Sequence, residues 1–359
     1  MSIWNLRKEI LYPPVDDMTE VATFLNGLNL ELEERLDCIL VLRINNRVVG
    51  TGGLDGNILK CVGVDPEFQN QGLLNTIVSE LKHILYRKGY NSLFVYTPEH
   101  QVVRYKNLGF VEIESVGDYP VLMEDSMEGF NGFIRSLKKK TQRINLDLKK
   151  IEVASLVMNC NPFTKGHLYL IEKAARERDI VFIFLLTEDR SLFPANIRYE
   201  LVKKGTKHLD NVIVFRGGDY ILSYTTFPDY FIGSQRGEEK ARRYAELDAR
   251  IFARHIAPAL NINHRYVGSE PYSSITAIYN QVLKKVLPLY GISLCEVKRK
   301  NYKGQPISAS RVRRYLGEGN YKKVRDLVPE VTYKFLQSPG AQKIVDYLQN
   351  KFRGDKNGN

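Results

Sequence analysis

The stretch that most constrains this chain runs from Val153 to Ala175. Val153–Met158 is a short apolar run, which suits a strand buried on both faces of a parallel sheet. A polar loop containing Pro162 follows over residues 159–165, and Gly166-His167 then opens a segment of helical period. Leu168, Leu170, Ile171, Ala174 and Ala175 recur at helix spacing, so one face of this helix packs against the sheet. A strand, a tight polar turn and a helix N-terminus make an anion site, because free backbone N–H groups and the helix dipole point at the turn. Thr164 and His167 lie three apart at that mouth, where a hydroxyl and an imidazole reach one phosphate together. The segment reads as the triphosphate site of a nucleotide-using enzyme. Taken alone, it reads equally well as an ordinary α/β crossover with a histidine at the helix start.

The rest of the chain narrows the choice. Its 359 residues predict two or three domains with full cores. A content of 43% hydrophobic and 26% charged residues is that of a soluble globular protein, and no apolar stretch is long enough to cross a bilayer. The first eight residues contain no apolar signal-peptide core, so a cytoplasmic location is expected. Cys38, Cys61, Cys160 and Cys295 are scattered without C-x-x-C spacing and are expected as reduced, buried thiols rather than a zinc site or a disulfide frame. For Cys160, inside the loop, packing is the default and a catalytic thiol the alternative. The net charge of +11 favours acidic partners. No nucleic-acid module is recognisable, and the basic residues are dispersed apart from Lys138-Lys139-Lys140 and Lys298-Arg299-Lys300. A phosphorylated substrate or an acidic carrier protein accounts for the sign, with neither nucleic acid nor membrane as partner.

Strand and helix patterns divide the chain. The front part, 1–137, has strands at 39–44, 48–50, 58–64 and 93–96, with a hairpin turn at 45–47 and an amphipathic helix whose inner face is Leu74, Ile77, Val78, Leu81 and Leu85. Residues 138–150 are lysine-rich and break the periodicity, which places a linker there. From 151 to 350 strands and helices alternate. Strands are expected at 180–186, 212–215, 265–268 and 293–297, and helices at 194–207, 238–256, 274–286 and 308–316, with Ser310 near the last cap. Such alternation means a doubly wound, mainly parallel sheet with ligands at the C-terminal strand ends. Residues 351–359 read as a frayed polar tail.

Thr164-x-Gly166-His167, preceded by Asn161-Pro162-Phe163, resembles the H/T-x-G-H signature of the nucleotidylyltransferase superfamily in its Thr-first form. Those enzymes hold the leaving pyrophosphate with a later Ile-Ser-Ser/Thr-x-x-Arg element, and Ile307-Ser308-Ala309-Ser310-Arg311-Val312-Arg313 is similar to it. The front domain resembles the GNAT acetyltransferase superfamily: Gln69-x-x-Gly72-x-Leu74 sits where that family binds the pyrophosphate of coenzyme A, and Tyr105-x-x-x-Gly109-Phe110 matches its later motif. Tyr105 falls where some members keep a general acid. Leu74 departs from the Gly or Ala of the pattern, so an acyltransferase-derived docking module carries equal weight with an active one. The implied fold class is α/β, a GNAT-like mixed sheet followed by a Rossmann-like doubly wound parallel sheet.

Further segments extend the likeness: 158–172, 187–193 with Arg198, 220–223 with 226–231, and 267–271 with Tyr279-Asn280. With the front domain, they resemble the citrate lyase ligases. That resemblance implies use of ATP and Mg²⁺ to activate acetate as acetyl-AMP, and acetylation of the thiol of a dephospho-CoA-derived group on the lyase's acyl carrier subunit. It implies catalytic roles for Thr164, His167 and Arg313, with Ser308 and Ser310 gripping pyrophosphate. Asn161, Phe163, Lys165, Gly166, Gly268 and Glu270 would line the nucleotide site, and Gln69, Gly72 and Tyr105 would hold the carrier's arm. For the thiol step, His167 as base and local ionisation of the thiol both remain open. A metabolite adenylyltransferase, and an acetyltransferase with a nucleotide-sensing rear domain, are the competing functions.

Overall fold

A computed structural model of the chain describes residues 5–142, 147, 150–187, 191–228, 237–270 and 273–357. It divides into two compact units, Met1–Gly132 and Phe133–Asn359.

The first unit is built on one seven-stranded mixed sheet. Its strands are β1 (Arg7–Leu11), β2 (Cys38–Ile44), β3 (Arg47–Asp55), β4 (Ile58–Val64), β5 (Ser92–Thr97), β6 (Val111–Ser115) and β7 (Val121–Ser126). They lie in the order β1-β2-β3-β4-β5-β7-β6. Asn45 and Asn46 both take positive φ, 50° and 66°, the geometry a two-residue hairpin between β2 and β3 requires. Along β2 the side chains alternate between two cores. Ile39 and Val41 face α1 (Thr19–Gly27), with Val21 and Leu25, while Cys38, Leu40 and Leu42 face α2 (Leu73–Arg87), with Ile77 and Leu81. Both faces are covered, so the strand reads as an unbroken apolar run. Gly52 permits the close crossing of α2, since a Cβ there would lie 2.3 Å from the Ile77 side chain. β4 and β5 run parallel and pair only at Ile58↔Phe94 and Leu59↔Val95, so the rest of β4 leaves β5 unpaired and leads to the turn that opens α2. The short α3 (Val102–Lys106) follows β5.

One expectation needs correcting at the boundary. Residues 138–141 are not linker but the end of α4 (Gly129–Thr141). Its lysines did not break the helix because part of the face is anchored: Phe133 packs on Tyr220 at 5.1 Å between centroids, and the Lys140 ammonium lies 5.4 Å from the Phe215 ring.

The second unit has a five-stranded, wholly parallel sheet. Its strands are β8 (Val153–Met158), β9 (Ile180–Leu185), β10 (Val212–Arg216), β11 (His264–Gly268) and β12 (Ser293–Val297), in the order β10-β9-β8-β11-β12. The chain winds outward from β8 to β10, then returns to the other side of β8 for β11 and β12. β8 and β11 pair only at His264↔Ala154 and Arg265↔Ser155 before they part. The reversal of winding therefore opens a crevice beyond their C-terminal ends, where doubly wound sheets bind ligands. The helices are α5 (Lys165–Glu177), α6 (Ala195–Gly205), α7 (Glu238–Ile251) and α8 (Ser274–Val286). The helix expected over 238–256 leaves α geometry after Ile251 and continues as a π turn over Phe252–Ile256.

Of the residues expected as a frayed tail, 351–357 are helical. Beyond a small hairpin of β13 (Asn301–Tyr302) and β14 (Gln305–Pro306) lie α9 (Ala309–Gly317), α10 (Tyr321–Leu327), α11 (Glu330–Leu336) and α12 (Gln342–Asn357). They share a core of Val312, Leu316, Val324, Leu327, Leu336 and Ile344. Residues 351–357 belong to α12, which approaches α9 closely because Gly317 lacks a Cβ; one there would sit 3.0 Å from the Leu348 carbonyl oxygen. No helix among the described residues is long and apolar enough to cross a membrane.

Candidate functional site

The crevice at the β8–β11 parting is assembled from the two motifs. Thr164 is the N-cap of α5, in extended backbone geometry, and its Oγ1 accepts from the His167 N–H at 3.3 Å. The Thr164 N–H in turn donates to His167 Nδ1 at 3.1 Å, with Thr164 Oγ1 3.0 Å from the same nitrogen. This is a capping box with an imidazole in place of the usual carboxylate. A nitrogen that accepts a backbone N–H carries no proton, so in the neutral ring the proton sits on Nε2. Burial, and secondly the Arg299 charge, push the His167 pKa down to about 4. The ring, stacked 8° from parallel with Phe163, is thus a neutral Nε2–H donor lining the crevice.

Gly166 brings the second motif to the first. A Cβ at this position would lie 3.1 Å from the Ile307 carbonyl oxygen and 3.5 Å from the Ile307 Cβ. Ser308, not Ser310, caps α9, its Oγ accepting from the Arg311 N–H at 3.2 Å. Ser308 and Ala309 line the crevice opposite Thr164 and His167. Two helix N-termini, α5 and α9, therefore converge on one space, each presenting free N–H groups. Arg313 bridges the motifs from behind: its Nη1 donates to the Asn161 carbonyl and its Nη2 to Ser310 Oγ at 3.2 Å.

Of the expected nucleotide-site residues, Thr164, Gly166, His167, Gly268, Glu270 and Ser308 line the crevice. The others support it. Asn161 Oδ1 accepts from the Phe193 N–H at 3.0 Å, and Phe163 is fully buried against Gly205. Lys165 turns away to donate to the Arg325 and Asp326 carbonyls, both at 3.1 Å, at the C-terminus of α10. Ser310 is exposed beside Arg313. Arg198, fully buried, holds the loop by donating to the Asn159, Leu186 and Phe193 carbonyls. Cys160 is buried and its thiol pKa is pushed far up by desolvation, which suits packing and not nucleophilic chemistry. Residues 188–190, 229–231 and 271 of the expected segments lie outside the described residues.

Sequence reasoning missed the cationic wall. Lys298, Arg299 and Lys300 leave the C-terminal end of β12 directly into the crevice, with Arg265 deeper on β11. The signal was a basic run at a strand's C-terminal end in a doubly wound sheet, where ligands bind. Glu270 is the one acidic lining residue among those described, and it is already engaged: it pairs with Arg299 and accepts from the Ser273 N–H at 3.1 Å. Arg299 also donates to the Ser269 carbonyl at 2.7 Å, and Asn280 fixes the Gly268 carbonyl at 3.2 Å. The balance of charge suits a polyanion.

In the first unit, Gly72 caps α2 with φ of 80° and has nothing within 4 Å of where a Cβ would stand. Gln69 is exposed on the same turn. Leu73, not Leu74, is the fully buried start of the inner face, with Leu74 partly buried against the same core. Tyr105 is buried edge-on to Phe110 at 5.5 Å, and desolvation pushes its pKa up to about 12.

Comparison with known proteins gives three findings. A family described as citrate lyase ligase C-terminal domain matches residues 153–336. A [citrate [pro-3S]-lyase] ligase of Escherichia coli is 37% identical over 326 residues, covering 89% of this chain and 90% of that protein; one from Klebsiella pneumoniae is 35% identical over 320 residues, covering 88% and 91%. A phosphopantetheine adenylyltransferase of Symbiobacterium thermophilum is 45% identical over 66 residues, 18% of this chain and 41% of that protein.

Proposed function

Since the chain belongs to the citrate lyase ligase family, we propose that it activates acetate with ATP as acetyl-AMP and acetylates a thiol on the citrate lyase acyl carrier subunit. The thiol is that of the carrier's dephospho-CoA-type prosthetic group, and both ATP and a reduced thiol fit a cytoplasmic setting. The observation that carries this reading is the contact of Gly166 with Ile307, which joins two helix N-termini around a crevice walled by Lys298, Arg299 and Lys300.

A carboxylate is already a nucleophile at neutral pH, so the first step needs position and charge neutralisation rather than a base. One carboxylate oxygen forms a bond to the α-phosphorus, the bond to the β-phosphate breaks, and pyrophosphate leaves; no proton moves. The α5 mouth and His167 Nε2–H face the α-phosphoryl oxygens, while Ser308, the α9 N-terminus and the Lys298–Lys300 wall take the charge leaving with pyrophosphate. Arg313 acts through Asn161, holding the loop on which Thr164 stands. Gly268 and Glu270 border the adenosine.

No group of three or more His, Cys, Asp or Glu suited to a metal occurs among the described residues, and Glu270 is spent on Arg299. Mg²⁺ would therefore arrive on the phosphates of ATP. His167 is a poor base for the second step, because Nδ1 is engaged and Nε2 already bears the proton; ionisation of the thiol outside this ring is the reading that remains.

The short likeness to a phosphopantetheine adenylyltransferase motivates the competing reading of a metabolite adenylyltransferase. Pyrophosphate release from ATP separates the two. Release that depends on acetate supports the ligase reading, whereas release driven by phosphopantetheine or nicotinamide mononucleotide, with acetate inert, overturns it.

A further inference from the structure

Arg265 is a buried cation that the steps above leave without work. Its side chain lines the crevice, is only 2% exposed, and its Nε and Nη1 have no hydrogen-bond partner among the described residues. Unpaired buried donors on a charged group are costly, so a partner is expected when the site is filled. The near acid does not serve. Asp248 spends its carboxylate on the Leu222 N–H, the Thr226 hydroxyl and the Tyr279 hydroxyl, each at 2.6 Å. It lends its charge to the neighbourhood without closing on the guanidinium.

Position separates Arg265 from the phosphate wall. It pairs with Ser155, three residues before Met158, so its backbone lies about 10 Å below the C-terminal end of β8. Alternation along β11 puts it on the face opposite Tyr266, whose hydroxyl bonds to Glu177 of α5. Arg265 instead stacks 4.4 Å above the Phe252 ring, in the π turn after α7. The crevice lining around it is Leu222, Val267 and Tyr279. Leu222 is held there at φ of 44°, a left-handed conformation rare for leucine, by its bond to Asp248. One cation, partly balanced by Asp248 and flanked by the apolar side chains of Leu222 and Val267, suits a single-charged small acid and not a triphosphate.

We infer that Arg265 is the carboxylate anchor of the acyl substrate, seating a small monocarboxylate on the α7–α8 side of β11 with its alkyl group toward Leu222 and Val267. This rests on the acid-activating reading above and adds the residue that selects the acid. A guanidinium holds a carboxylate through some of its lone pairs and leaves another for attack on the α-phosphorus.

The test is acetate-dependent ATP–pyrophosphate exchange of the full chain with Arg265→Met and Arg265→Lys, titrating acetate and ATP separately, with thermal melts and binding of a non-hydrolysable ATP analogue as controls. Arg265→Met is expected to raise the acetate KM about 10- to 100-fold, the loss typical of a charge-assisted hydrogen bond, with the ATP KM within twofold of wild type. Should the Met variant fail to fold, Arg265→Lys keeps the charge beside Asp248 and is expected to raise the acetate KM about tenfold, again without moving ATP. An acetate KM unchanged in a folded variant, or acetate and ATP constants rising together, overturns the inference. Absence of acetate-dependent exchange in the wild-type protein overturns instead the function on which it rests.

Discussion

His167 illustrates how a residue type and a local structure fix a chemical role together. Its spacing from Thr164 was readable in the sequence, but its protonation was not, because that depends on the Thr164 N–H binding Nδ1 and on burial. A neutral donor at the α-phosphate predicts that His167→Ala lowers kcat for acetate-dependent exchange by about 10²–10³, with the fold retained. The same burial has a consequence for stability. With the folded pKa near 4 and the unfolded value near 6.5, the folded protein binds fewer protons between those values. This contribution is complete above pH 6.5 and is lost as pH falls toward 4, on the order of 3 kcal/mol in all. Urea midpoints of wild type should therefore fall faster than those of His167→Gln over that range; parallel curves would contradict the assignment. Ser308 and Ser310 show the limit of motif reading. Both serines fit the pattern, and only the direction of the chain entering α9 decides that Ser308 caps the helix and faces the crevice while Ser310 lies exposed.

Elements with a complete local signal were legible. Val153–Met158, Ile58–Val64 and Ser293–Val297 are strands, and Ser274–Val286 is a helix capped by Ser273, at the residues that apolar period and turn chemistry predicted. What escaped were elements decided by tertiary packing. α4 is lysine-rich and reads as a break until Phe133 and Lys140 find Tyr220 and Phe215. α10, α11 and α12 are stabilised by a core they share with α9, which no single window reveals. The contact between α5 and the segment entering α9 predicts the effect of Gly166→Ala. The new methyl would meet the Ile307 carbonyl at 3.1 Å and push the two N-termini apart by a few tenths of an ångström. Stability should fall by only about 1 kcal/mol, whereas kcat/KM for ATP should fall by on the order of 10-fold to 10²-fold, as misplacement of a catalytic frame does. Loss of both in proportion would mean that the contact is structural alone.

Across the whole molecule, a chain of net charge +11 concentrates Lys298, Arg299, Lys300 and Arg265 in one crevice of the second unit, while the first unit presents an open glycine turn at Gly72. The two units predict separable functions. If the turn at Gln69 and Gly72 holds the pyrophosphate of the carrier's arm, Gly72→Val should slow carrier acetylation at least tenfold, a value set by loss of one or two backbone contacts, and leave ATP–pyrophosphate exchange intact. Unchanged carrier kinetics would assign the first unit some other role. The central claim is that acetate itself attacks the α-phosphorus in the crevice between α5 and α9. Acetate labelled with ¹⁸O in both oxygens, turned over with ATP and the carrier, tests it by mass spectrometry of the nucleotide product. Attack by acetate transfers one labelled oxygen to the phosphate of AMP. AMP free of label would show that the acyl-adenylate never forms.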